Sequence, residues 1–153
     1  MLRAVFPGSF DPFTVGHEDI LLRALPLFNE VVIAIGVNSA KKTLFSLEKR
    51  IDLLNKLYEN EPKVTIESYS GLTARYCSER GISHIIRGLR SGTDFEYEKS
   101  ISQLNTAISP DLETIFLISS PHLSHVSSSI VREIMINKGD ARQFLPEKIR
   151  DLV

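Results

Sequence analysis

Five stretches of this chain carry side chains of the kind that handle anionic oxygens. Ser9, Thr14 and His17 come first, then Lys41 and Lys42, then Ser70-Gly71-Leu72-Thr73. Arg87 and Arg90 follow, and last come Ser124, the triplet Ser127-Ser128-Ser129, and Arg132. Arginine offers a planar fork for phosphate. Hydroxyls and free N–H groups at a helix start suit the same oxygens. Taken alone, each piece has a blander reading: His17 as a helix-start residue, the lysines as a solvated loop, the arginines as surface ion-pair partners, the serines as a helix cap. Their weight comes from being gathered in one place. The chain has no G-x-x-x-x-G-K-[ST] run and no G-x-G-x-x-G after its first apolar segment, so two common phosphate-binding loops are absent. Asp11 precedes Pro12 and reads as a turn former, with a metal contact the lesser alternative.

The elements between these stretches decide whether they meet. Arg3–Phe6 reads as a short strand ended by Pro7-Gly8, and a helix starts near His17 with Ile20, Leu21, Ala24 and Leu25 on one face. Val31 to Val37 is an almost unbroken run of β-branched and small apolar residues, which suits a strand buried on both faces. Ser46 caps a second helix that buries Leu47, Ile51, Leu54 and Leu57. A strand over 63–67, a helix over 72–80 stopped by Gly81, and a strand over 84–86 come next. Asp94 is placed to cap a helix to Ile108, with Ile101, Leu104 and Ile108 inward. A strand over 114–118, a helix capped by Ser127-Ser128-Ser129, and a short C-terminal helix opened by Pro146 complete the pattern. Strand and helix alternate five times. The expected fold is α/β: a Rossmann-like open five-stranded parallel sheet with helices on both faces and a C-terminal helix. Ligands bind such sheets at the carboxyl ends of the strands, where all five polar stretches fall.

The length of 153 residues suits one domain over 1–153. Lys and Arg number 18 against 19 Asp and Glu, for a net charge of −1, which argues against a nucleic-acid-coating surface. The apolar content of 42% argues against disorder. Cys77 is the sole cysteine, so neither an internal disulfide nor a cysteine-cluster metal site is expected, and it reads as a small core residue. The apolar stretch Val31–Val37 is far short of a membrane span and the N-terminus lacks a signal-peptide core, so a cytoplasmic protein without membrane partners is expected.

Gly8-Ser9-Phe10-Asp11-Pro12-Phe13-Thr14-Val15-Gly16-His17 resembles the signature loop of the nucleotidyltransferase superfamily related to class I aminoacyl-tRNA synthetases, with Thr14 where the first histidine of H-x-G-H usually stands. That variant, with Arg87-Gly88-Leu89-Arg90, Asp94-Phe95-Glu96-Tyr97-Glu98 and Val126-to-Glu133, is similar to the bacterial phosphopantetheine adenylyltransferase family along essentially the whole chain. Ser9 replaces a more frequent threonine, Val15 a common asparagine, and Leu123 the tryptophan of some members.

The resemblance implies transfer of AMP from ATP to 4′-phosphopantetheine, giving dephospho-coenzyme A and pyrophosphate. It also implies Mg²⁺ bound mainly through the ATP phosphates, a homohexamer, and feedback inhibition by coenzyme A. Carried over by position, Ser9, Phe10, His17, Gly88, Leu89, Arg90, Glu98 and Ser124, His125, Val126, Ser127, Ser128, Ser129 and Ile130 would contact ATP. Ser9, Lys41, Thr73 (through its backbone) and Arg87 would contact phosphopantetheine, and His17, Lys41 and Arg90 would be catalytic. Adenylyl or cytidylyl transfer to nicotinate mononucleotide or a sugar-alcohol phosphate is the nearest alternative. A catalytically silent nucleotide-binding protein is the other.

Overall fold

In the computed structural model, which describes residues 1–153, five parallel strands form one sheet. The strands are β1 (Arg3–Gly8), β2 (Glu30–Val37), β3 (Val64–Ser70), β4 (His84–Leu89) and β5 (Glu113–Ile118), in the order β3-β2-β1-β4-β5. The crossover helices are α1 (Val15–Ala24), α2 (Leu47–Tyr58), α3 (Thr73–Arg80) and α4 (Gly92–Ile108), and α5 (Ser128–Ile136) follows β5. No helix is long and apolar enough to cross a membrane.

The period of two along the strands sorts the core into two layers. Ala4 and Phe6 of β1, Val31, Ile33 and Ile35 of β2, and Ile86 of β4 pack on α1, α2 and Ile149. Val5, Val32, Ala34 and Ile85 face the other way, onto Ala74, Tyr76 and Cys77 of α3. Cys77 is fully buried in that layer, as its sequence context implied. A smaller cluster of Val131, Ala141 and Leu145 seats α5 against the tail.

The sheet order reverses between β1 and β4, and their pairing is brief. β2 pairs with β1 from Glu30↔Arg3 through Ile35↔Gly8, whereas β4 meets β1 only at Ala4↔His84 and Val5↔Ile85. Beyond Val5 the two strands continue without ladder pairing, and the crevice lies at their carboxyl ends. Such a switch point is where open α/β sheets bind ligands.

Several local expectations are corrected. β1 runs through Pro7-Gly8, and β4 extends through Arg87 to Leu89, so Arg87 is a strand residue rather than a loop residue. Ladder pairing with β2 and β5 carries both strands past their turn-forming residues. Ser91, not Asp94, caps α4, since its side chain accepts from Asp94 N. The apolar stripe on α4 does not face inward. Ile101 is 36%, Leu104 60% and Ile108 53% exposed, and the one buried residue of the helix is Glu98. The helix docks by its polar edge on Arg87. The C-terminal helix beyond α5 is two single 3₁₀ turns, Arg142–Phe144 and Glu147–Ile149, with Pro146 as the N-cap of the second. Buried Leu145 and Ile149 pin them to the body, which leaves no length for an α-helix.

Gly88 sets the distance between β4 and α1: a Cβ there would lie 2.9 Å from Cγ1 of Ile20. Gly88→Ala is therefore predicted to destabilise the fold by about 1–3 kcal/mol through overpacking, as read from denaturant midpoints. Its cost should be less than additive with Ile20→Ala.

Candidate active site at the carboxyl ends of the first and fourth strands

The crevice is a cleft of about 570 Å³, walled by the first loop, the start of α1, the end of β4, the start of α4 and the start of α5. A second chamber of about 350 Å³ lies towards α3 and the middle of α4, lined by Tyr69, Thr73, Ile101 and Asn105 among others. Ser9, Lys41, Arg87, Tyr97 and Glu98 line both and so mark the seam between them.

The first loop is wound tightly onto the core. A Cβ at Gly8 would sit 2.9 Å from the Phe10 ring, so only glycine lets that ring fold back over the chain. Phe10 itself takes φ 46° and is buried. Its side chain therefore belongs to the core. Thr14 then caps α1. Its side chain accepts from His17 N, and in return the Thr14 N–H donates to His17 Nδ1 at 3.0 Å. This reciprocal capping box starts α1 at Val15, two residues before the expected start.

The box also fixes the imidazole. Nδ1 is an acceptor, so the ring proton sits on Nε2, the one nitrogen left for the cleft. Phe10 and Phe13 flank the ring with centroids at 5.1 and 5.2 Å. Burial first, then the nearby Arg87 and Arg90 charges, push the His17 pKa down to about 3. At neutral pH His17 is thus an uncharged Nε2–H donor.

The cations of the site are not a bare positive patch. Arg87 donates Nε and Nη2 to the Glu98 carboxylate and Nη1 to Pro7 O at 2.8 Å. Three of its N–H groups are spent, and two of the usual five remain. Arg90 bonds Asp94 Oδ2 through Nε at 3.1 Å, and the same oxygen accepts Arg90 N. Arg132 Nη1 donates to Asp11 O at 2.7 Å. Lys41 is the cation lining the cleft that has no ion pair. The serines are engaged as well. Ser127 caps α5 by accepting from Ile130 N, Ser128 donates to Pro12 O, and Ser129 accepts from Arg132 Nη2.

The expected residues converge in large part. Ser9, Phe10, His17, Lys41, Arg87, Gly88, Arg90, Glu98, Val126, Ser127, Ser128 and Ser129 line the main cleft, and Thr73 lines the second chamber. Leu89, Ser124, His125 and Ile130 line neither. Leu89 is buried, Ser124 donates to Pro121 O, and His125 sits edge-on to Phe144. Of two supporting residues, one was not singled out from the sequence and the other has a larger part than expected from it. Arg50, 5% exposed, donates Nη1 to Ser9 O at 2.7 Å. Asp11 is no simple turn former: both its carboxylate oxygens accept backbone N–H groups from the loop before α2. A cation on the buried face of α2 and an acid between two phenylalanines were the signals available for them.

A profile of the cytidylyltransferase-like family matches residues 5–134. The phosphopantetheine adenylyltransferase of Christiangramia forsetii is 50% identical over 150 residues, which cover 98% of this chain and 99% of that protein. That of Cytophaga hutchinsonii is 51% identical over 146 residues, 95% of this chain and 97% of that one. Among solved structures, a bifunctional NMN adenylyltransferase/ADP ribose pyrophosphatase from Francisella tularensis aligns with a TM-score of 0.73 at 19% identity. That match covers 94% of this chain but 44% of the larger protein, and it speaks for the fold.

Nitrogen-detected NMR of the free protein should show His17 as the neutral Nε2–H tautomer from pH 8 down to pH ~4.5; an imidazole titrating near ~6.5 would contradict the geometry. The linked stability effect has a definite sign. The unfolded chain takes up the His17 proton below about 6.5 and the folded chain only near 3, so stability falls as pH drops through that interval and is whole above it. His17→Gln should flatten that part of the pH–stability curve.

Proposed function

From the premise that the chain belongs to the cytidylyltransferase-like family and, within it, to the phosphopantetheine adenylyltransferases, we propose how its cleft performs their reaction. AMP passes from ATP to 4′-phosphopantetheine, giving dephospho-coenzyme A and pyrophosphate, a step of coenzyme A biosynthesis. The observation that carries the residue-level reading is His17, held by the Thr14 N–H at Nδ1 so that Nε2 is left for a cleft whose two chambers join at Lys41 and Arg87.

The nucleophile is an oxygen of the phosphopantetheine phosphate. With a second pKa of ~6 it is largely a dianion at neutral pH, so no general base is needed. It attacks the α-phosphorus of ATP; the bond to the bridging oxygen breaks, and pyrophosphate leaves with that electron pair. The enzyme's work is to hold two repelling anions in line and to receive charge on the α-phosphate and the leaving group. His17 Nε2–H donates to an α-phosphate oxygen. Lys41 and the two spare N–H groups of Arg87 orient the attacking phosphate at the seam. Arg90 and the N–H groups at the start of α5 hold the β- and γ-phosphates, with Ser9, Gly88, Val126 and Ser127–Ser129 around the nucleotide. Glu98 contributes through Arg87, whose fork it holds. Thr73, Ile101 and Asn105 border the chamber for the pantetheine arm.

Magnesium enters this reading as a companion of ATP. The carboxylates nearest the cleft are already engaged, Glu98 by Arg87, Asp94 by Arg90 and Asp11 by two backbone N–H groups. The ion would be held by triphosphate oxygens and water, where it offsets charge on the leaving pyrophosphate. The 153 residues act as one nucleotidyltransferase domain in the cytoplasm. Coenzyme A shares the pantetheine arm and an adenine nucleotide with the substrates, which supports feedback inhibition at this same cleft. Exposed Tyr97, Leu104 and Ile108 on α4 support self-association, for which the family resemblance suggests a homohexamer.

His17→Ala should lower kcat by a factor of at least ~10² with little change in ATP affinity. Lys41→Ala should weaken phosphopantetheine use and spare ATP binding. Pyrophosphate release from ATP, measured with phosphopantetheine or nicotinate mononucleotide offered separately, decides the acceptor. Release only with the mononucleotide, or with neither, refutes this reading.

A further inference from the structure

The stretch Asn38–Ser46 between β2 and α2 carries Lys41, and little holds it. At its start Asn38 makes a local turn: its side chain accepts Ala40 N at 2.9 Å and its carbonyl accepts Lys41 N at 3.0 Å. Lys41 lines both chambers and its ammonium has no ion pair. From Lys41 to Phe45, the chain is tied to another part of the fold by two hydrogen bonds. Leu44 N donates to Asp11 Oδ2 at 2.8 Å and Phe45 N to Asp11 Oδ1 at 2.9 Å.

Asp11 is itself immobilised. It is 3% exposed, its carbonyl accepts Arg132 Nη1 of α5 at 2.7 Å, and the next carbonyl, Pro12 O, accepts the Ser128 hydroxyl at 2.9 Å. The backbone at Asp11 and Pro12 is thus tied to α5, while the buried Asp11 carboxylate joins the loop after β1 to the loop after β2. A carboxylate with its two oxygens accepting successive N–H groups fixes the direction of the chain it grips, because each hydrogen bond has a preferred angle.

We propose that Asp11 is a positioning residue: its carboxylate sets the loop that places Lys41 at the seam, and so governs how the acceptor phosphate is held, while leaving the ATP contacts untouched. This rests on the reading of Lys41 as the acceptor-phosphate cation. The asymmetry follows from the geometry. His17 is fixed by Thr14 and Arg90 by Asp94, neither of which needs the Asp11 side chain, and α5 is hydrogen-bonded to the Asp11 and Pro12 carbonyls, with Arg132 Nη1 at 4.0 Å from Asp11 Oδ2.

Asp11→Asn tests it. The variant keeps the shape and the backbone carbonyl, but its NH₂ group faces one of the two N–H donors and loosens the loop. Relative to wild type, kcat/KM for phosphopantetheine should fall ~10–100-fold, the scale of misplacing a group by about an ångström. ATP affinity by calorimetry should change less than about twofold, and hydrogen exchange should rise at Leu44 and Phe45. In a Lys41→Ala background the same change should cost less than about twofold, because the group it positions is gone. A full additional loss in that background, or an equal loss of ATP affinity, overturns the proposal. Lys41→Ala with normal phosphopantetheine use would instead overturn the reading beneath it, and the proposal with it. Should Asp11→Asn not fold, replacing the Leu44 amide with an ester removes one donor and leaves Asp11 intact. The same selective loss should follow, and unaltered phosphopantetheine kinetics overturn the proposal.

Discussion

β1 and β4 are paired at two positions and then part, and the rest of the site depends on that parting. A full ladder between them would satisfy their backbone groups and close the crevice. The gap instead must be spanned by side chains, and Arg87 spans it. From β4 it donates to Pro7 O on β1, and its remaining edge takes the Glu98 carboxylate of α4. One guanidinium thereby holds two strands and a helix at the distance the cleft needs. α1 comes close to β4 on the layer below only because Gly88 has no side chain, and α1 carries His17 at its start. The strand splay, the Arg87 bridge and the Gly88–Ile20 approach are three consequences of one topological reversal.

A cleft proposed to take a triphosphate and a phosphate monoester invites a concentration of cations, yet its three arginines are each tethered. Two forks bond to carboxylates and Arg132 to Asp11 O. Pairing lowers the net positive charge that the folded protein must bear without ligand. It also fixes the direction of the N–H groups that remain, so less ordering is left for the moment of binding. The exception is Lys41, a point charge on a flexible stem within a weakly anchored loop. In the proposed reaction the contrast divides the work: rigid forks serve the nucleotide side and the seam, and one cation on a weakly anchored loop serves the acceptor. The balanced net charge of the whole chain conceals this arrangement, because opposite charges lie side by side in the cleft itself.

What could be read in the sequence was mostly local. The β-branched run of β2, the serine caps of α2 and α5, and the left-handed Gly81 were legible because backbone preference and side-chain chemistry agree there. The alternation of strands and helices then implied the parallel sheet and the edge where the polar stretches meet. What was not legible depended on tertiary partners. Nothing within the 84–89 segment says that Arg87 is a strand residue; pairing with β5 decides it. The α4 stripe has the spacing of a core face, but the helix is oriented by the Glu98–Arg87 pair, and its apolar side chains are left outward. Asp11 before a proline has a sufficient local explanation as a turn former. Only the distant Leu44 and Phe45 amides show that its carboxylate binds a second loop.

The capping box at Thr14 and His17 shows how far a local rule can reach. A helix start leaves N–H groups without partners, and a threonine hydroxyl commonly takes one. Here the reciprocal bond uses the histidine ring, so initiating α1 and choosing the imidazole tautomer are the same event. Burial among Phe6, Phe10 and Phe13 and the field of two arginines then remove the charged form from the neutral range. An imidazolium in this position would bind phosphate strongly in the ground state and be repelled by Arg87 and Arg90 when the cleft is empty. A neutral donor avoids the repulsion and gains most from a phosphate oxygen as that oxygen becomes more negative, which is the condition for favouring the transition state over the bound substrate.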